Sequence, residues 1–460
     1  MIRRGKMPAV VGAIVFSVAL AVGGGESKAG PPSGGFHRLA TVNATAAAAV
    51  AMARTSDGKL HLVYQTFAGR SFSGLASLSI SASGTAGPQV QALSEWQGGQ
   101  PGLLALPNGT LEAVFGAISP SSFVSSVWGI TSSDGGATWS APADVRGGGP
   151  NEALAYGSDI TAAMTGTSPV LSLPQAGNLV VQTGLGSGSP SVMVTNSTDG
   201  STTDADLAVD AATGEVVASW PSIAHSPSLY VQGVAPTIES PQLVPGQSRN
   251  ALVLAGRDTG PGVYGAYTTD GRHVRLFRYG GGTVAVGSRS HTAAKVLGVA
   301  TSLQGRVWVM WGDDSGGGVA VTRSNKAVTR FEPIQHVRSN AGSLYRIQGD
   351  GRLGPLDLLV DEIPNGTGPV QPAGIYHARV LPVLSATVSV TKVKKVYKLT
   401  ATVTDAGDPV AGASVSVKGQ KKTTNAKGVA TFTLPSSAGG TATVIVTSPG
   451  YKVLTETIHI

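Results

Sequence analysis

The chain has 460 residues, of which 41% are hydrophobic, 13% are charged and none is cysteine. A chain of this length buries an ample core without cross-links, and the missing thiols exclude a disulfide scaffold, thiol catalysis, cysteine-held metals and a lipid-modified N-terminal cysteine. The formal net charge of +7 is unevenly spread: residues 1–29 hold four bases and one acid, residues 381–460 hold nine lysines and three acids, and residues 30–380 are left with twenty bases against twenty-two acids, which removes the basic surface that nucleic-acid binding needs.

Arg3, Arg4 and Lys6 precede an apolar run from Met7 to Val22, and Ser27-Lys28-Ala29 supplies a small-x-small cleavage pattern. That layout predicts a secretory signal peptide over residues 1–29. The apolar run is shorter than the ~20 residues a spanning helix needs, and no other stretch is long and apolar enough. The expectation is an exported chain, secreted or at the cell surface, with no membrane span after cleavage. An uncleaved N-terminal anchor is the alternative.

From residue 36 to 380 one unit recurs: a short apolar strand, a turn with Gly, a second apolar strand that often carries an aromatic, and a third strand. The second-strand segments are Asp57–Tyr64, Asn108–Phe115, Gly177–Gln182, Gly214–Trp220, Gly262–Tyr267, Gly305–Trp311 and Gly354–Val360. First strands are expected at Ala47–Met52, Gly102–Leu106 and Val296–Thr301, and third strands at Val127–Thr131, Val192–Thr195 and Val319–Thr322. In the Gly262 unit His273–Tyr279 takes the third place. Alternation and β-branching favour strands throughout. Seven units of roughly 50 residues suit the four-stranded blades of an all-β propeller. Six blades, with one unit misread, is the runner-up, and a pair of β-sandwiches is a weaker alternative. Phe36–Val42 precedes the first full unit and is placed to complete the last blade and remove the open edge.

Between two of these units Ser132-Ser133-Asp134-Gly135-Gly136-Ala137-Thr138-Trp139 fits S-x-D-x-G-x-T-W. Asp at such a turn accepts backbone N–H bonds, Gly permits positive φ, and Trp anchors the hairpin. The segment resembles the Asp-box of sialidases and related BNR-repeat propellers. Its defining residues here are Ser132, Asp134, Gly136, Thr138 and Trp139, and in that family the box is structural. Ser324–Phe331 has the same length but carries Lys326 in place of the Asp, so its turn chemistry is expected to be lost. Thr269-Asp270-Gly271 and Thr198-Asp199-Gly200 look like further eroded copies.

The family resemblance also implies three carboxylate-binding arginines, a Tyr–Glu nucleophile pair and an acid/base Asp. Bidentate guanidinium suits a carboxylate, and Glu takes the phenolic proton. The match falters where the family carries Arg-Ile-Pro: Phe36-His37-Arg38-Leu39-Ala40 falls one strand early, and residues 46–52 hold no arginine before the next strand. For a hydrolase the candidates are Tyr345, Arg346, Glu362 and Arg70. Arg54 and Arg257 end inner strands and are binding candidates at the axial mouth.

Eight histidines show no metal-site spacing. Asp199, Asp204, Asp206, Asp210 and the pair Asp313-Asp314 read as turn acids, with calcium held through oxygen ligands as the alternative, so no metal and no cofactor is expected. Beyond Pro382, lysine and threonine rise and alternation is clear in Ala386–Val390, Tyr397–Val403, Ala413–Val417, Val429–Leu434, Thr441–Thr447 and Thr455–Ile458. Residues 384–460 resemble a bacterial immunoglobulin-like or carboxypeptidase-regulatory-like β-sandwich, a class that implies a spacer or adhesion unit. The expectation for the whole, with residues 30–380 as the sialidase-like propeller, is a non-catalytic protein binding an extracellular glycan or cell-surface polymer. The alternatives are an exo-sialidase-type glycoside hydrolase with a divergent site and an adhesion or scaffold protein.

Overall fold

The computed structural model describes residues 35–41, 50–68, 71–121, 125–146, 160–175, 178–186, 188–194, 205–222, 228–244, 252–268, 270, 272–286, 296–313, 318–338, 343–363 and 374–460. The expected signal segment and Arg70 lie outside the described residues. No described helix is long and apolar enough to cross a membrane.

The described residues before Leu381 form seven antiparallel sheets in chain order, each with a four-strand meander. The first runs Val50–Arg54, Leu60–Ala68, Ser71–Ile80 and Val90–Ser94, and the second has Gly102–Ala105, Leu111–Ile118, Ser125–Ser132 and Ala143–Asp144, with Gln97–Gly98 added beside it. Inner strands of the third to sixth sheets are Thr161–Thr165, Asp206–Val209, Leu254–Gly256 and Leu297–Thr301. The seventh sheet contains Ser343–Asp350, Leu356–Ile363 and Gly374–Val380, and its outer strand is His37–Thr41 from the start of the chain. The last blade is therefore closed by the N-terminal strand, which pairs His37 with His377 and Thr41 with Gly374.

Seven apolar clusters, each shared by two neighbouring sheets, join these sheets into a ring. One holds Val63, Leu75, Leu111 and Ile130 of the first and second sheets. Another holds Leu60, Tyr64 and Ala76 of the first sheet with Ala40, Leu359 and Ile375 of the seventh. A strand with two buried faces explains why the second strands read as continuous apolar runs, such as Val307-Trp308-Val309-Met310-Trp311. Inner strands approach closely: a Cβ on Gly256 would lie 1.8 Å from the Val209 carbonyl oxygen, so only Gly fits there.

One unit differs from the sequence expectation. In the third sheet the second strand is Ser168–Gln175 and Asn178–Thr183 is the third, with Ser191–Met193 outermost. The Thr165–Ser168 turn is tighter than its neighbours and carries Gly166 at φ +60°. Its Thr-Gly-Thr sequence is weaker punctuation than the Asn-Gly or Asp-Gly turns elsewhere, and the strand it opens is hard to tell from a loop by pattern.

Residues beyond Leu384 form a β-sandwich. Ser385–Val393, Val396–Asp405 and Val429–Pro435 face Ser414–Val417, Gln420–Thr423, Thr441–Thr447 and Leu454–His459. Leu399, Val403, Val415, Phe432 and Val446 fill its core. It packs directly on the sixth sheet. Arg323, 3% exposed, binds Glu332 and reaches Asp405 of the sandwich at 2.8 Å, while Arg306 meets Asp408 at 2.8 Å. The Tyr451 hydroxyl donates to Asp405 at 2.7 Å.

Candidate functional site

The inner strands of all seven sheets line one axial cavity of about 710 Å3. Its wall carries Ala51, Ala105, Ala162, Ala208, Ala255 and Ala300, with Val and Leu among them. Small side chains here follow from geometry, because strands converging on an axis leave least room at the centre. Charges occur at the two ends. The upper end is where the inner strands begin, and the lower end is where they turn into the second strands.

Arg54 and Arg257 belong to the lower end. The Arg54 guanidinium contacts Asp350 Oδ1 and Asp357 Oδ2, each at 2.6 Å, and the Gly58 carbonyl at 2.7 Å. Asp357 is fully buried and also accepts from His377 and Arg379, at 3.1 Å each. Burial pushes the Asp357 carboxyl up, but His377, Arg379 and Arg54 outweigh it and hold its pKa below the ordinary value. Arg257 donates to the carbonyls of Gly305, Pro261 and Lys326. Both arginines therefore serve as braces between strands. They lie at inner-strand ends, as their sequence positions imply, but on the end of the cavity whose polar groups are already paired.

Arg346 belongs to the upper end. It donates to Gln100 Oε1 at 2.7 Å, linking the seventh sheet to the segment entering the second. Directly across the strand pair stands Asp361, whose Cα is the register partner of Arg346. Asp361 is 5% exposed, and its Oδ1 has no hydrogen-bond partner among the described residues. Burial pushes its pKa up to about 7, with Arg346 opposing part of that rise. Across the cavity Asp206 begins the fourth inner strand and accepts from the Leu254 and Leu207 N–H groups at 2.8 Å each. Burial raises its pKa to about 6 against those two bonds and the field of Arg346. Asp206 thus lines the upper end, and Asp361 lies buried beside Arg346 behind the lining, both with pKa values raised toward neutrality.

Tyr345 lies at the irregularity between Leu344 and Arg346, is 49% exposed, and does not line the cavity. The backbone of Glu362 stands opposite Leu344 and Gly374. The register therefore sets Asp361, and not Glu362, against Arg346. Sequence reasoning passes over Asp361 and takes Asp206 for a turn acid, whereas Asp206 belongs to an inner strand. A signal is present in each case: Asp361 interrupts the apolar run Leu358-Leu359-Val360, and Asp206 stands immediately before Leu207-Ala208-Val209.

The Asp-box folds as its residues dictate. Asp134 Oδ1 accepts from the Ala137 and Thr138 N–H groups and from the Ser132 hydroxyl, and Oδ2 accepts from the Thr138 hydroxyl at 2.6 Å. Those donors hold its pKa down to about 2. Gly136 sits at φ +89°. Trp139 donates to Ser77 Oγ at 3.0 Å, so it fastens the second sheet to the first and not only to its own hairpin. In Ser324–Phe331 the turn chemistry persists, contrary to the expectation from Lys326. Asn325 Oδ1 accepts from Thr329 and Arg330 N–H at 2.8 and 3.1 Å. An amide one position earlier offers the same acceptor. Asp270 makes a similar turn but between second and third strands, not at the Asp-box position, and Asp199 lies outside the described residues.

No protein-family model matches the sequence, and no curated protein matches it. Among solved structures the chain is similar to an alpha-L-arabinofuranosidase of Fusarium graminearum in complex with an iminosugar inhibitor, at 12% identity over 76% of this chain and 98% of that one, with a TM-score of 0.43. It is similar to the Dos1 propeller at 9% identity over 76% and 94%, with a TM-score of 0.45. It is also similar to the Hadza microbial sialidase Hz136 at 10% identity over 73% and 66%, with a TM-score of 0.39. These are likenesses of chain course at low identity.

Proposed function

We propose that this is an exported propeller protein that binds an extracellular glycan or cell-surface polymer at the upper end of its axial cavity and does not hydrolyse it. One observation carries the reading: two of the cavity arginines are locked into the lower end, the wall is rich in alanine, and among the described residues Arg346 is the arginine lining the upper end. A carboxylate clamp of several converging guanidinium groups is not assembled there by those residues. What the upper end offers suits recognition of hydroxyl-rich ligands. Arg346 and Gln100 donate, Asp206 donates or accepts according to its proton, and Tyr345 presents an exposed ring on the same strand as Arg346.

A second reading is favoured by one feature. Asp361 holds a proton near neutral pH beside a cation, as a general acid requires. The deciding experiment is hydrolysis of a fluorogenic sialoside and a panel of other glycosides by the chain from residue 30, with Tyr345→Phe, Arg346→Ala and Asp361→Asn as controls, followed by a glycan-binding screen. The binding reading expects no turnover and a retained ligand weakened by Arg346→Ala. Turnover that is lost in Asp361→Asn or Arg346→Ala overturns it in favour of a hydrolase.

A further inference from the structure

The sandwich is electrically polarised by the way it is docked. It contains nine lysines, no arginine, and only three acids, Asp405, Asp408 and Glu456. Two of those acids are committed to the propeller. Asp405, 1% exposed, lies against Arg323 and Arg306, and Asp408 pairs with Arg306 and accepts from the Lys326 N–H at 2.9 Å. Both lie at the end of strand Val396–Asp405 that touches the sixth sheet. All nine lysines are exposed, and none forms an ion pair among the described residues.

Most of them gather at the opposite end. Lys394 and Lys395 form the tip between Ser385–Val393 and Val396–Asp405, and Lys392 stands beside them over the Tyr397 ring. That tip is roughly 30 Å from Asp405, the length of a ten-residue strand. Lys398 faces outward next to Thr433, its register partner. Gln420 donates to the Thr433 carbonyl and Lys422 to the Thr431 carbonyl, which lays the strand bearing Lys421 and Lys422 alongside. Lys418 completes the end at the next turn. Among the described residues the only large apolar side chain exposed at the tip is Val393, too little for insertion into a bilayer.

We propose that this lysine-rich end is a docking surface for a polyanionic extracellular polymer, one whose carboxylate, sulfate or phosphate groups repeat along a chain. Flexible ammonium groups on a two-stranded tip suit a repeated charge without fixed geometry, where a single bidentate site would call for arginine. The docking of Asp405 and Asp408 against the propeller removes the acids that would otherwise neutralise the surface. It also points the lysines away from the ring, so polymer attachment leaves the axial cavity open. This surface stands independently of the reading of that cavity.

The test is binding of the chain from residue 30 to heparin and to polyphosphate, with neutral dextran and anionic lipid vesicles alongside, over a range of salt. Both polyanions are expected to bind and dextran is not. In the variant Lys392→Gln/Lys394→Gln/Lys395→Gln/Lys398→Gln, affinity at low salt is expected to fall at least about tenfold, and the slope of log affinity against log salt to drop by roughly 3–4, near one for each of the four lost contacts. Arg346→Ala is expected to leave both quantities unchanged, which separates this surface from the axial site. The proposal is overturned by an unchanged slope in the lysine variant, by loss of polymer binding in Arg346→Ala, or by vesicles binding more tightly than either polymer. A thermal melt of the lysine variant matching the parent assures that the comparison is between folded proteins.

Discussion

The two ends of the axial cavity use the same residue types to opposite effect. At the lower end Arg54 sits between Asp350 and Asp357, Asp357 also takes His377 and Arg379, and Arg257 is held by backbone carbonyls. At the upper end Arg346 stands near Asp361 and Asp206, whose pKa values are raised by burial to about 7 and about 6. The two ends of this propeller thus differ in how their charges are satisfied. Paired charges close the ring. Carboxyl groups that burial has left poorly solvated and incompletely paired remain responsive to pH and to a ligand.

The largest effect expected from disturbing this contrast is at the lower end. Asp357→Ala leaves Arg54, His377 and Arg379 facing a buried void, and a loss of about 3–5 kcal/mol is expected in urea unfolding followed by tryptophan fluorescence. Because the Asp357 pKa lies below its unfolded value, its contribution is present above about pH 4 and disappears as pH falls through the folded value. The acid limb of the parent's stability profile is therefore expected to flatten in the variant.

The upper end runs in the other direction. Asp361 binds its proton more tightly folded than unfolded, so its contribution is complete below about pH 4 and is lost as pH rises through about 7. Asp361→Asn keeps the shape and removes the titration. Stability measured from pH 4 to 8 is expected to decline less in the variant than in the parent, by on the order of a few kcal/mol. If the two decline in parallel, Asp361 is not the buried acid described here.

Smaller effects concern the two box turns. Trp139→Ala removes an anchor between the first and second sheets and is expected to cost about 2–3 kcal/mol in the same unfolding assay. Asn325→Ala strips the acceptor from the eroded turn, and about 1–2 kcal/mol is expected. Its loss should also loosen the seat of the sandwich, because the Lys326 N–H donates to Asp408 from that turn. Faster amide exchange at 405–410 would report it.

Much of the fold is legible in the residues alone. The period of two, the Gly turns and the box residues predict short strands and their order, and the closing role of the N-terminal strand follows from the leftover segment ahead of the first unit. The third unit is displaced by one strand in that reading because Thr165-Gly166-Thr167 is a weak turn signal. The site is less legible. Tyr345-Arg346 lies on the last inner strand, as its sequence position implies, yet only the β-irregularity at Tyr345 sets Asp361, not Glu362, across from Arg346.

The all-β class, the repeated unit, the intact turn at Asp134 and the concentration of lysine beyond residue 384 are all local properties of the chain, since each depends on neighbours within a few positions. Which charges are satisfied is a property of the folded molecule. Arg54 finds partners 296 and 303 positions away, and Arg323 finds one 82 positions away. Such pairings depend on how the ring closes and how the sandwich seats. The energy of a charge inside a protein is set by what surrounds it in space.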